Sequence, residues 1–203
     1  MNRCAMPRTI LAAVLFPFAL AACQAQPSAS EEPPLAGAAI GGPFTLQNSK
    51  GETVNWSDFD GKYRVVYFGY TYCPDVCPTD VGRIMRGYAK FQAEEPELAK
   101  QVVPLFISVD PKRDTPAVIG EFTNAFSDDL IGLTGTQEQI DAAAKEFAVY
   151  VEKGEPNSEG GYLVNHSSAG YLMGRKGEPV ALLPIEVVDD GTAIAAELAK
   201  WVH

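Results

Sequence analysis

The chain has 203 residues, of which 46% are hydrophobic and 21% charged, and its formal net charge is −10. This length and composition are typical of a single globular domain whose core needs no disulfide bonds. Residues 1–22 contain two arginines and no acidic residue, so the rest of the chain is more acidic still. A surface of that charge repels polyanions, which excludes nucleic acid and anionic lipid as partners.

The first 22 residues are typical of an export signal. Two arginines precede an apolar run at residues 10–22, which is too short for a membrane span of about 20 residues. The run ends in Leu20-Ala21-Ala22-Cys23, which resembles the lipobox of bacterial lipoproteins, whose cysteine becomes the lipidated N-terminal residue. A conventional signal peptide cut near the same alanines is the alternative. We expect an exported protein on the periplasmic side of a bacterial membrane, held there only by a lipid on Cys23.

The rest of the chain divides into a tether and one domain. Residues 23–39 are rich in Pro, Ser, Ala and Glu without apolar periodicity, which predicts a disordered tether. Residues 40–203 alternate strand and helix patterns around apolar runs, which predicts an α/β sheet domain with an N-terminal β-hairpin at 43–54. The other predicted elements are strands at 63–69, 102–109, 130–133, 148–151, 162–165, 169–173 and 180–188, and helices at 81–91, 116 onward, 137–147 and 192–201.

Two cysteines lie between the predicted strand at 63–69 and the following helix, in Tyr70-Thr71-Tyr72-Cys73-Pro74-Asp75-Val76-Cys77-Pro78-Thr79-Asp80. Helical positions i and i+4 are about 5–6 Å apart at Cβ, so the two sulfurs can converge on one metal ion or on each other. Amide groups at a helix N-terminus favour a thiolate over a thiol. We therefore expect both sulfurs to be partly exposed and to have low pKa values.

A histidine completes a candidate metal centre. His203 is the last residue and is expected to be solvated, whereas His166 lies between two predicted strands. A lone loop histidine is more often structural than a ligand, but the cysteine pair reverses that expectation. Because Cu(I) prefers thiolates and accepts imidazole, Cys73, Cys77 and His166 are candidate copper ligands.

Five segments occur in the order and spacing of one family: GGPFTLQNSKGETVNWSDFDGK, VVYFGYTYCPDVCPTD, PLFISVDPKRDTP, GLTGT and YLVNHSSAGYLM. Over residues 41 to about 188 the chain resembles the SCO/SenC family, thioredoxin-fold copper proteins that help to assemble the copper A site of cytochrome c oxidase. The resemblance implies a thioredoxin-like α/β fold with an N-terminal β-hairpin extension. It also implies one copper ion per domain, as Cu(I), Cu(II) or both, held by Cys73, Cys77 and His166, with Asp110 close to the site.

The resemblance further implies a metallochaperone rather than an enzyme. Its partners would be the copper-bearing subunit of cytochrome c oxidase and a periplasmic thiol reductase that keeps the cysteines reduced. Without the resemblance, Asp110 reads as a turn cap before Pro111. Asn165 departs from the family pattern, in which most members have an aspartate before the histidine. An amide keeps hydrogen-bonding capacity and loses the charge, so we expect copper to bind with altered Cu(II) affinity or redox potential.

Other functions fit the pattern less well. A thiol-disulfide oxidoreductase is the main alternative, since the same dithiol could reduce a partner's disulfide. Redox enzymes of this fold usually carry CxxC and a facing cis-proline, whereas the loop at Asn165-His166-Ser167 offers no proline. A peroxiredoxin-like peroxidase is disfavoured because a resolving cysteine four residues after the first is atypical. A structural disulfide would contribute only about 2 kcal/mol by closing so small a loop.

Overall fold

The computed structural model describes residue 1, residues 31–156, residue 158 and residues 161–203. The predicted export signal beyond Met1, the predicted lipidation site Cys23 and residues 24–30 of the predicted tether lie outside the described residues. Across the described ranges, no helix combines the length and apolar character that crossing a membrane requires.

Strands and helices alternate along the described chain. The strands are β1 (Thr45–Asn48), β2 (Thr53–Asn55), β3 (Tyr63–Gly69), β4 (Val102–Ser108), β5 (Ile131–Thr134), β6 (Val151–Lys153), β7 (Val164–His166), β8 (Gly170–Met173) and β9 (Pro179–Leu183). The helices are α1 (Val76–Glu94), α2 (Pro96–Ala99), α3 (Pro116–Asn124), α4 (Gln137–Glu146) and α5 (Thr192–Trp201), with a 3-10 helix at Trp56–Phe59.

A mixed sheet in the order β2-β1-β5-β4-β3-β8-β9 organises the domain. Its centre is parallel, with β3 paired to β4 and β4 to β5, while β8 and β9 add antiparallel strands on one side. The predicted N-terminal hairpin, β1 and β2, continues the sheet through antiparallel pairing of β1 with β5. Every residue of β3 is buried, as expected for a strand covered on both faces. The architecture is the predicted α/β type.

Some predicted boundaries were wrong. The apolar periodicity predicted a helix only over residues 81–91, whereas the helix spans Val76–Glu94 with Pro78 in its first turn. The strand predicted at 148–151 begins only at Val151, since Ala148 adopts a left-handed conformation with φ of 52°. The strand predicted at 180–188 ends at Leu183.

The described end of the predicted tether contacts the domain. Residues 34–37 form a turn, and the Leu35 N–H donates to the carbonyl of Val180 at 3.1 Å. The Ala38 N–H in turn donates to the carbonyl of Leu35 at 3.0 Å. The chain therefore contacts the edge strand β9 already at Leu35, before the predicted start of the domain at residue 40.

Candidate metal centre

The candidate ligands gather where the central parallel strands end. Cys73 lies in the loop after β3, and Cys77 lies in the first turn of α1. His166 ends β7, which pairs with β6 so that His166 is opposite Val151. Because the carboxyl ends of parallel strands meet at one edge, this is where an α/β sheet commonly places a site.

Cys77 and His166 are in direct contact. The Cys77 Sγ lies 3.3 Å from the His166 Nε2, while the His166 Nδ1 lies 3.0 Å from the carbonyl oxygen of Ser167. A carbonyl only accepts, so Nδ1 carries the ring hydrogen and Nε2 keeps its lone pair. Burial lowers the pKa of His166, against the Ser167 carbonyl and the Asp80 carboxylate, which raise it. The imidazole is thus neutral and offers Nε2 to a proton or a metal.

Cys73 caps the helix that carries Cys77. Its sulfur accepts the Cys77 N–H at 3.4 Å, whereas the side chain of Asp75, at the N-cap position, makes no capping bond. Burial opposes ionisation of the Cys73 thiol, but the N–H groups of Asp75, Cys77 and Val76 and the Cys77 thiol outweigh it and lower the pKa. The predicted low-pKa, partly exposed sulfur is therefore present at Cys73.

The same prediction was wrong for Cys77. Its side chain is fully buried, and burial raises the pKa of its thiol well above the usual range. Both cysteines are free thiols. The pair therefore consists of one accessible, easily ionised sulfur and one enclosed, protonated sulfur in contact with an imidazole.

These three residues fit a metal only after a small adjustment. Within the described ranges, no three His, Cys, Asp or Glu side chains already enclose an ion-sized space. Bonds of about 2.3 Å to sulfur and about 2.0 Å to nitrogen, the values for zinc, would hold the two atoms about 3.7 Å apart at a trigonal angle. A bound ion would replace the hydrogen bond between Cys77 and His166 and separate them slightly.

Asp110 is connected to the candidate ligands through other side chains. Its carboxylate accepts hydrogen bonds from Arg113 Nε and from the Tyr162 hydroxyl, the latter at 2.8 Å. The Arg113 guanidinium lies 3.7 Å from the centre of the Tyr162 ring and 5.5 Å from that of Tyr70. Tyr70 meets the His166 ring edge-on with centres 6.0 Å apart. Arg113 and Tyr70 therefore link Asp110 to the histidine ring.

Asp114 was missed by the sequence reasoning. Its fully buried carboxylate accepts the Thr71 N–H at 3.1 Å and the hydroxyls of Thr71 and Ser108, each at 2.6 Å. Burial raises the pKa of Asp114 despite these donors. Asp114 fastens the loop that leads to Cys73 onto the neighbouring strand β4.

Asn165 lies beside the candidate ligands on the solvent side. Its side chain is exposed, whereas Val164 before it is buried. Asn165 borders a cavity of about 290 Å³ that is also lined by Cys73 and His166. The charge of the side chain at position 165 can therefore affect the candidate ligands across the solvent in this cavity.

Together, the sheet and the cysteine–histidine contact define a class of protein: a thioredoxin-like α/β domain with a dithiol–imidazole centre. Sequence comparison then gives the family. The SCO1/SenC family model matches residues 32–203, and the chain belongs to this family.

The relatives agree on fold. Protein SenC of Rhodobacter capsulatus is 48% identical over 70% of this chain and 62% of its own length. The structure of Bradyrhizobium japonicum ScoI with copper bound is 36% identical, with a TM-score of 0.71 over 80% of this chain and 99% of that chain. BsSco, described as having a disulfide switch and as a member of the Sco family of cytochrome c oxidase assembly proteins, is 27% identical, with a TM-score of 0.62 over 78% of this chain and 90% of its own. The thioredoxin-like fold prediction is confirmed.

The matched part of the chain spans 42% to 62% of the length of the first curated relatives.

Proposed function

We propose that this protein binds one copper ion through Cys73, Cys77 and His166 and delivers it to the copper A site of cytochrome c oxidase during assembly. The observation that carries the proposal is the 3.3 Å contact between Cys77 Sγ and His166 Nε2, with the partly exposed sulfur of Cys73 at 3.4 Å from the Cys77 nitrogen. Two thiolates and an imidazole suit Cu(I). The copper-bound structure of the Bradyrhizobium relative supports the choice of metal.

Unequal exposure of the ligands suits delivery. Cys73 is partly exposed and borders the open cavity, so an acceptor's ligand can replace it first. Cys77 and His166 retain the ion until a second acceptor ligand arrives. Copper then passes by stepwise ligand exchange without being released into solution, where a free ion would be lost.

The oxidase is the proposed destination because a structural relative belongs to the Sco family of cytochrome c oxidase assembly proteins. The partner is then the copper-bearing oxidase subunit, and a periplasmic thiol reductase keeps the cysteines reduced. A lipid on Cys23 would hold the domain at the periplasmic face of the membrane. Mass spectrometry of the membrane fraction tests the anchor, and a mature N-terminus other than acylated Cys23 would exclude it.

A thiol-disulfide oxidoreductase is the second candidate. The accessible Cys73 has a lowered pKa and the buried Cys77 a raised one, an asymmetry that suits an attacking and a resolving thiol. The two functions use the same residues. They differ in whether His166 is needed, since disulfide exchange requires only the two sulfurs.

Copper titration of the reduced protein separates these functions. The variants are Cys73→Ser, Cys77→Ser and His166→Ala, with His203→Ala as the matched histidine control, because His203 is exposed at the C-terminus. We expect one tightly bound ion per chain, weakened by the first three substitutions and unaffected by the fourth. A wild-type protein that binds no copper tightly but exchanges rapidly with protein disulfides would overturn delivery in favour of the reductase.

A further inference from the structure

Tyr67 and Asp80 form a buried polar pair next to Cys77. The Tyr67 hydroxyl donates to Asp80 Oδ2 at 3.0 Å, and Asp80 Oδ1 accepts from Arg83 at 3.4 Å. Arg83 also donates to the carbonyl of Ile185 at 3.1 Å, which fixes its position. Tyr67 and Asp80 are only 2% and 5% exposed, so water does not compete for these bonds.

The Tyr67 side chain also lies next to the Cys77 sulfur, and Ser168 is another neighbour of its hydroxyl. Gly69 permits this approach: a Cβ there would lie 2.9 Å from Tyr67 Cε1 and 3.2 Å from Cys77 Sγ. A phenol carries one hydrogen, and a carboxylate is a stronger acceptor than sulfur. The hydrogen is therefore held by Asp80 and does not reach Cys77.

We infer that Asp80 is a positioning residue that turns the Tyr67 hydrogen away from the Cys77 sulfur and thereby sets the reduction potential of the bound copper. The inference rests on the proposed function, because it takes Cys77 as a copper ligand. A hydrogen bond to a ligating sulfur withdraws charge from it, which favours Cu(I) over Cu(II). By withholding that bond, Asp80 leaves the sulfur a stronger donor and keeps the potential lower.

The substitution Asp80→Asn reverses the hydrogen bond with little change in shape. Arg83 can only donate, so it holds the new amide oxygen on its own side. The amide NH2 then faces Tyr67 and donates to the hydroxyl oxygen. The Tyr67 hydrogen, deprived of its acceptor, is then free to turn to the Cys77 sulfur, with the Ser168 hydroxyl as the competing acceptor.

The experiment compares the Cu(II)/Cu(I) reduction potential and the sulfur-to-Cu(II) absorption band in the copper-loaded full chain. The variants are Asp80→Asn, Tyr67→Phe and the double substitution. Asp190→Asn is the matched control. It removes a carboxylate that pairs at 2.8 Å with Lys90, a residue of α1. Lys90 lies about 20 Å along α1 from Cys77.

We expect Asp80→Asn to raise the potential and move the band to higher energy, and the double substitution to abolish most of that shift. The control should leave both unchanged. If the double substitution keeps the full shift, the lost charge is responsible and the inference is overturned. An unshifted Asp80→Asn protein that still binds copper overturns the inference alone, whereas a wild type that binds no copper overturns the proposed function with it.

Discussion

The Cys77 sulfur touches the His166 Nε2 although 89 residues separate the two positions. Cys77 is placed by the start of α1, whereas His166 is placed by the pairing of β7 with β6. The cysteine pair is local, because Cys73 lies only four residues before Cys77, in the loop that leads into α1. The imidazole arrives only with the tertiary fold, which makes a complete site a property of the folded domain.

The tautomer of His166 is directly testable without metal. Because Nδ1 lies 3.0 Å from the Ser167 carbonyl, we expect the hydrogen on Nδ1 in the metal-free protein. Nitrogen-15 NMR of the imidazole distinguishes the two ring nitrogens, and the exposed His203 serves as the internal reference. A hydrogen found on Nε2 would contradict this arrangement, since Nε2 would then donate to Cys77.

Copper affinity should rise with pH. Burial raises the pKa of Cys77, so its thiol is protonated near neutral pH and must lose that proton when the sulfur binds a metal. The pKa of His166 is lowered, so the imidazole is already unprotonated at any pH above the usual histidine pKa. Its binding to a metal then releases no proton. Each released proton makes the apparent association constant rise about tenfold per pH unit.

Competition with a Cu(I) chelator at several pH values between about 6.5 and 8 measures this slope. We expect a slope of at least about one proton for the wild type. Cys77→Ser should reduce it by about one, because the substituted position has no thiol proton to release. A pH-independent affinity would mean that Cys77 is not a ligand or is already ionised.

Many of the strands and helices were predictable because the sequence patterns that specify them are local. The apolar run of β3 was bounded correctly at Tyr63–Gly69. The helix predicted at 137–147 is found at Gln137–Glu146, where Thr136 and Gln139 form a capping box with both reciprocal bonds. The strand β6 was misplaced because it is delayed by Ala148, which has a left-handed conformation. An alanine in the sequence gives no sign of that conformation, which is uncommon for residues other than glycine.

The environment of the candidate ligands was harder to predict than the choice of the candidates themselves. Cys73, Cys77 and His166 are rare residue types with few alternatives in the chain. Burial of Cys77 depends on β3 and on His166, which are remote in sequence, so its raised pKa could not be inferred from the helix terminus alone. Asp80 offered a signal that was overlooked: it lies three residues after Cys77 on the apolar face of α1, where a buried acid requires partners.

Asp114→Asn should loosen the loop that leads to Cys73. The three donors from Thr71 and Ser108 would face an amide with one acceptor atom, and hydrogen bonds to charged groups contribute about 1.5–3 kcal/mol each. We expect the free energy of unfolding to fall by about 2 kcal/mol, and copper affinity to fall as well, because Cys73 is held less firmly.

Denaturant unfolding of the metal-free protein and chelator competition provide the two measurements for this variant. Asp141→Asn is the matched control, since Asp141 is an exposed aspartate that accepts a hydrogen bond from Gln137. If Asp114→Asn matches the control in both measurements, Asp114 does not fasten the loop.

Asn165→Asp should favour Cu(II) over Cu(I) and lower the reduction potential. Asn165 is exposed and borders the cavity shared with Cys73 and His166, so a carboxylate there adds negative charge near the metal. A negative charge stabilises the more highly charged ion. Because the side chain is solvated, salt should screen the effect, with a Debye length of about 10 Å at 0.1 M and about 3 Å at 1 M.

The reduction potential of the copper-loaded protein at low and high ionic strength tests this effect. Asn124→Asp is the control, because it adds the same charge at an exposed position at the end of α3. We expect Asn165→Asp to lower the potential at low salt, with the difference shrinking as salt is added. A shift that persists at high salt would mean that the carboxylate binds the copper directly, and no shift at either salt concentration would remove Asn165 from the electrostatics of the site.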